Sequence, residues 1–139
     1  MENPPLISIA LCTYNAGKYL EAQVFSILKQ TYKHIEIVVV DDGSTDGTYD
    51  YLQKLASEYP QIRLFKNEIN LGIGGNWNKA YQNVTGQYLI IFNADDWVNP
   101  KFISEAMTVF ETHDTNAVTF AFEILDYKIN TCKPHWPQK

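Results

Sequence analysis

Cysteine, histidine and basic charge are scarce in this chain, and each scarcity removes a class of function. The 139 residues include two cysteines and three histidines. Cys12 sits in an apolar strand pattern, where it reads as a small packing residue. Cys132 lies in a polar stretch near the end, so the two form neither a disulfide framework nor a metal site. A reducing, cytoplasmic setting follows by default, with the inner face of the membrane as a variant of it. His34, His113 and His135 show no ligand spacing, and no Ser-His-Asp or Cys-His arrangement is visible. Lysine and arginine number 11 against 16 acids, a net charge of -5. The basic residues are scattered, which argues against a nucleic-acid surface. No apolar run reaches the ~18 residues of a membrane helix, so no transmembrane segment is expected. The start, Met1 to Pro5, lacks the basic and apolar regions of a signal peptide.

What is present is enough for one packed domain, since 45% of the residues are hydrophobic. Strand and helix patterns alternate. Leu6 to Thr13 predicts a first strand. Lys18 to Lys29 predicts a helix with Leu20, Val24, Ile27 and Leu28 on one face. Ile35 to Asp41 is almost continuously apolar, as in a parallel strand covered on both sides. Ser44 to Gly47 supplies turn and cap residues for a helix over Thr48 to Glu58. Further strands are predicted over Ile62 to Phe65, Tyr88 to Phe92 and Ala117 to Glu123. Asn70 to Asn76 reads as a glycine-rich loop followed by a short helix, Trp77 to Asn83. Asn99-Pro100 starts a helix that runs to about His113. The expected domain covers 1–130, with 131–139 a loose tail. This alternation predicts an α/β fold, a doubly wound and mostly parallel sheet flanked by helices. Ligands of such sheets bind outside the carboxyl ends of the strands.

Three polar signals fall at such ends: Thr13-Tyr14-Asn15, Asp41-Asp42 and Asp95-Asp96. Four carboxylates brought together repel unless something positive sits among them. A divalent cation carrying an anionic ligand meets that need. Asp95-Asp96 suits Mg²⁺ or Mn²⁺, which take oxygen ligands and commonly share them with substrate phosphates. Asp41-Asp42 can accept hydrogen bonds from a base or a ribose. Either pair can also cap the helix that follows it. Tyr14 can stack on a base. Gly72 to Gly75 can bring backbone amides near a ligand, although no Walker lysine follows. Trp77 and Trp97 flank the expected site and read more readily as packing than as sugar platforms.

These segments together resemble the family 2 glycosyltransferases of the GT-A fold. The resemblance rests on Ser8-Ile9-Ala10-Leu11-Cys12-Thr13-Tyr14-Asn15, Ser26-Ile27-Leu28-Lys29-Gln30-Thr31-Tyr32 and Glu36-Ile37-Val38-Val39-Val40-Asp41-Asp42-Gly43-Ser44-Thr45-Asp46. It continues through Asn70-Leu71-Gly72, Gly86-Gln87-Tyr88 and Asn93-Ala94-Asp95-Asp96. It implies inverting transfer of a sugar from a nucleotide-diphosphosugar donor, most often UDP-linked, to a hydroxyl of a glycan or lipid-linked acceptor in polysaccharide or glycan biosynthesis. It places Thr13, Tyr14 and Asn15 in the base pocket, Asp42 and Asp41 on the base, and Asp95 near the ribose and sugar. Gly72 and Asn78 join the donor site, and Asp96 with Asp95 holds Mg²⁺ or Mn²⁺.

Three departures limit what carries over. Asn93 stands where the family's metal motif often begins with Asp, and Trp77 where many relatives carry Arg. Family domains also continue well past the fifth strand, where the general base and most of the acceptor site lie. Glu123 and Asp126 sit in no recognisable base motif, so the catalytic base is unassigned. The alternative is therefore a donor-binding fragment without turnover. A nucleotidyltransferase is disfavoured, because its basic glycine-rich loop near the N-terminus is missing. An unpaired sheet edge on the short side would favour a homodimer.

Overall fold

The computed structural model describes residues 4–119, together with the backbone of two strands, Phe122–Asp126 and Thr131–His135. The chain divides into two units, Met1–Ser104 and Glu105–Lys139. The first contains a four-stranded sheet. Its strands are β1 (Ile7–Thr13), β2 (Ile35–Asp41), β3 (Ile62–Lys66) and β4 (Tyr88–Asn93). All pairings are parallel and the order is β3-β2-β1-β4.

The connections from β1 to β2 and from β2 to β3 join neighbouring strands, whereas the one from β3 to β4 skips past β2 and β1. The helices are α1 (Leu20–Leu28, entered through a 3₁₀ turn at Gly17–Tyr19), α2 (Thr48–Glu58), α3 (Gly72–Tyr81) and α4 (Phe102–Thr112). Strands β1 and β2 are buried along nearly their whole length, which is why their sequences are continuously apolar. Ala10, Val38 and Val40 pack with Ala80 of α3 on one face, where Cys12, Phe65, Val84 and Leu89 join them. Helix α1 buries Leu20, Val24 and Ile27, as its 3.6-residue period requires. Buried Gln30 anchors the start of α4. It donates to the Asn99 carbonyl at 2.7 Å and accepts from the Ile103 amide at 3.0 Å.

Register decides where the polar strand ends fall. Thr13 pairs with Asp41, Cys12 with Asn93, and Asp41 with Lys66. The chain leaves β1 toward β2 and β3, then returns to the opposite side of β1 as β4. The crevice between β1 and β4 at their carboxyl ends is therefore the switch point of the sheet.

Two expectations need correcting along this path. The glycine-rich stretch at 72–75 is not a loop: helix α3 already begins at Gly72 and ends at Tyr81. The last strands also differ. Ala117 to Thr119 are not in a strand, and β5 covers Phe122–Asp126. Thr131–His135, expected in a loose tail, forms β6 and pairs antiparallel with β5. Residues 120, 121, 127–130 and 136–139 lie outside the described residues, as do the side chains of Cys132, His135 and the two acids Glu123 and Asp126. Among the described residues no helix is long and apolar enough to cross a membrane.

Candidate functional site

The carboxyl ends of β1, β2 and β4 and the start of α3 enclose an open cleft of about 420 Å³. That is within the range of small-molecule sites, roughly 300–1,000 Å³. From β1 and the turn after it come Cys12, Thr13, Tyr14, Asn15, Ala16 and Tyr19. Asp42 follows β2, and Asn93, Ala94 and Asp95 end β4. Helix α3 and its approach add Asn70, Gly72, Ile73, Asn76 and Trp77.

The two turns at one wall are laced together. Asn15 has a left-handed backbone, φ 46°, a conformation asparagine tolerates better than most residues. Its amide donates to Ser44 Oγ and its Oδ1 accepts from the Thr45 amide, both at 2.9 Å. Thr48 Oγ1 accepts from the Ala16 amide at 3.1 Å. The loop after β2 thus fixes the loop that carries Tyr14.

Asp41 and Asp42 have separate surroundings. Asp41 is fully buried and does not line the cleft. Its Oδ2 accepts from the Ser44 amide at 3.0 Å, closing the turn, and Thr13 Oγ1 donates to its Oδ1 at 3.4 Å. Asp42 lines the cleft although it is only 2% exposed. Its Oδ1 accepts from Asn67 Nδ2 and from the Leu71 amide, both at 2.8 Å.

The second acid pair is also split. Asp95 is exposed and lines the cleft. Asp96 is exposed but outside the lining, and its Oδ2 accepts from the Asn93 amide at 3.0 Å. It closes the turn after β4 with one oxygen and keeps the other. These two adjacent, exposed carboxylates offer oxygen ligands of the kind Mg²⁺ and Mn²⁺ accept, and they fit such an ion. No cluster of three or more His, Cys, Asp or Glu side chains forms a metal cage among the described residues. Mg²⁺ commonly uses one or two carboxylates plus substrate phosphates and water, so a full cage is not required. The cleft lining contains two acids and no Lys, Arg or His. A diphosphate placed there would gain little from protein cations.

Of the residues expected in the donor site, the structure brings Thr13, Tyr14, Asn15, Asp42, Gly72 and Asp95 to one cleft. Asp41 lies behind it. Asn78 is exposed on α3 and outside the lining. Trp77 is 38% exposed and faces the cleft, whereas Trp97 does not line it. Tyr19, Ile73 and Asn76 were not anticipated. Asn76 carries no sequence signal, because the local pattern starts the helix at Trp77, five residues late. Cys12 touches the cleft, but burial and then the charge of Asp42 push its thiol up to about 11. It stays protonated at neutral pH and is no nucleophile.

The chain is similar to proteins of known family and structure. The family model for glycosyl transferase family 2 matches residues 8–138. An uncharacterized glycosyltransferase of Haemophilus influenzae is 37% identical over 114 residues, covering 82% of this chain and 35% of that protein. The crystal structure of S. aureus TarS 1-349 in complex with UDP-GlcNAc superposes with a TM-score of 0.72 at 29% identity, over 78% of this chain and 32% of that one. The mannosyltransferase PcManGT from Pyrobaculum calidifontis, in complex with GDP-Man and Mn²⁺, gives 0.70 at 28% identity, over 76% and 32%. The chain spans about a third of the length of such relatives.

Proposed function

The chain belongs to glycosyl transferase family 2, and from that premise we propose that its cleft holds the nucleoside-diphosphate sugar of an inverting glycosyl transfer. One observation carries the reading. Asp42 and Asp95, 53 residues apart in sequence, meet with Tyr14 and Asn15 in one cleft at the sheet's switch point. The base lies between Tyr14 and Asp42, whose free carboxylate oxygen accepts a base N–H. Asp95 faces the ribose and sugar. Asp95 and Asp96 hold Mg²⁺ or Mn²⁺, which would neutralise the diphosphate as a leaving group. The first turn of α3 reaches the cleft at Gly72 and Ile73 and adds the positive end of a helix dipole. A UDP-linked donor is the first choice, and glycan or polysaccharide assembly the setting. Structural neighbours that contain UDP-GlcNAc and GDP-Man support a nucleotide-sugar ligand.

In the transfer itself an acceptor hydroxyl oxygen bonds to the anomeric carbon while the bond to the diphosphate oxygen breaks. The nucleoside diphosphate leaves, and the hydroxyl proton passes to a base. Both carboxylates of the cleft are already committed, Asp42 to the base and Asp95 to the metal and sugar. That favours a second reading, in which this chain alone binds donor without turning it over.

Isothermal titration with UDP and GDP, with and without Mn²⁺, tests the binding. Metal-dependent binding of either is expected, and no binding of any nucleoside diphosphate would refute the proposal. Transfer or donor hydrolysis by the 139-residue chain would refute the second reading.

A further inference from the structure

The cleft carboxylate of Asp42 is aimed by two buried asparagines, Asn67 outside the cleft lining and Asn76 at its wall. Asn67, directly after β3, is buried, and its amide extends the sheet by donating to the Asp41 carbonyl at 2.8 Å. Its Nδ2 has two protons and uses both. One goes to Asp42 Oδ1 at 2.8 Å and the other to Asn76 Oδ1 at 3.1 Å. Asn76, buried on α3, completes the line by donating its own Nδ2 to the Val40 carbonyl at 3.1 Å. Every amide orientation in this line is forced. Turning Asn76 over would set its oxygen against the Val40 carbonyl and its NH₂ against that of Asn67. The line starts at Val40 of β2, crosses α3 and the residue after β3, and ends two residues further on at Asp42, just past β2.

We propose that Asn76 and Asn67 are positioning residues that fix the Asp42 carboxylate and thereby set base selectivity; this rests on the donor reading above. Asp42 Oδ1 is saturated by Asn67 and the Leu71 amide. Oδ2 takes no hydrogen bond from the described residues and is not sealed from solvent. The side chain therefore presents one defined oxygen to the cleft. A carboxylate oxygen only accepts. It suits a base edge with a ring N–H beside carbonyl groups, such as N3–H of uracil or N1–H of guanine. It opposes cytosine, whose ring N3 is itself an acceptor. A carboxylate free to rotate would swing away from cytosine at little cost, whereas a clamped one rejects it. Discrimination then arises from a buried group left wrongly paired.

The test compares UDP and CDP in the presence of Mn²⁺, using Asn76→Ala and the bulkier Asn76→Leu, which refills the space without restoring hydrogen bonds. Both variants should weaken UDP about tenfold while CDP changes little, so the UDP:CDP ratio falls about tenfold. Mn²⁺ affinity without nucleotide should not move. A merely structural role would lower the melting temperature and leave the ratio unchanged, and that result overturns the proposal. If the wild type binds no nucleoside diphosphate, the donor reading fails first. Nuclear magnetic resonance then decides the line itself. Asn67 side-chain amide protons that exchange slowly in the wild type and freely in Asn76→Ala support it, and free exchange in both overturns it.

Discussion

The two ends of the parallel sheet hold carboxylates in opposite ways. At the amino end Glu36, the second residue of β2, is buried and surrounded by donors. Ser8 Oγ, the Thr85 amide, Thr85 Oγ1 and Arg63 Nη1 all donate to it. Arg63 also donates to the Asn83 carbonyl, and Ser8 Oγ accepts from the Gly86 amide. The cluster pins the turn before β4 to β1 and β2. A Cβ on Gly86 would lie 2.6 Å from the Leu6 carbonyl oxygen, so that turn requires glycine. At the carboxyl end Asp42 keeps one oxygen open and Asp95 is exposed. A saturated carboxylate fastens the fold, whereas a half-saturated one is available to a ligand. The same functional group does both jobs, and the difference is the number of donors around it.

The largest effect should come from the open end. Asp95→Asn and Asp96→Asn keep the size of exposed side chains, and asparagine can still accept the Asn93 amide that Asp96 accepts. Mn²⁺-dependent UDP affinity should nevertheless fall about 100-fold in each, with an unchanged circular dichroism spectrum, because the charge is lost from a strong contact. Unchanged affinity in titration calorimetry would remove the metal from these two residues.

The converse holds for the closed end. Glu36→Gln should cost about 2–3 kcal/mol in urea unfolding, since it breaks a buried charged network. UDP affinity at temperatures where the variant is folded should stay within about twofold of the wild type, as distant sites act independently. A parallel loss of affinity would mean that the two ends are coupled. The same group sets an acid limit. Burial opposes its ionisation, but the hydrogen bonds from Ser8, Thr85 and Arg63 outweigh it and hold the carboxyl at about 2. The folded value lies below the unfolded one, so the unfolded chain binds the proton more readily. The stabilisation is complete above about pH 4.5 and disappears as pH falls toward 2, about 3 kcal/mol in all. Glu36→Gln should flatten that part of the stability curve.

The carboxyl-end half of this contrast was legible in the residues, and the cluster around Glu36 was not. The runs that form β1 and β2 are apolar enough to be read as covered strands, and acids at strand ends pointed to the carboxyl edge. Pairing geometry was not legible. Nothing in Asp41-Asp42 reveals that the first acid turns inward to Ser44 while the second faces the cleft. Helix α3 was misread because Gly72, Gly74 and Gly75 each weigh against helix by about 1 kcal/mol. Burial of Asn76 and Ala80 against the sheet overrides that preference. The stretch from Ala117 to Leu125 interleaves β-formers with Ala117, Ala121 and Glu123 and has no turn residue to mark a boundary, so local pattern could not locate β5. Its partner β6 contains Pro134, which local pattern reads as a strand breaker but an edge strand tolerates.

A smaller prediction concerns charge in the cleft. Trp77→Arg would place a cation in a lining that has none. UDP affinity without metal should rise about tenfold, the scale of one charge-assisted hydrogen bond. An unchanged metal-free affinity would mean that position 77 does not approach the diphosphate.

The smallest expected effect extends the comparison to a polar group that has no hydrogen-bond partner among the described residues. Gln23 on α1 is 1% exposed, and among the described residues neither its Nε2 nor its Oε1 makes a hydrogen bond. Glu36 holds its place because donors repay its desolvation, and Asp42 because a ligand can. Gln23 has neither compensation among the described residues, so its burial is a net cost there. Methionine has nearly the same length and fills irregular space well. Gln23→Met should therefore raise stability by about 1 kcal/mol in urea unfolding, with UDP affinity unchanged. A loss of stability would show that this amide is satisfied after all, by water or by residues beyond those described, and that carboxylates and amides in this sheet obey one rule: buried polar groups persist only where something donates to them or accepts from them.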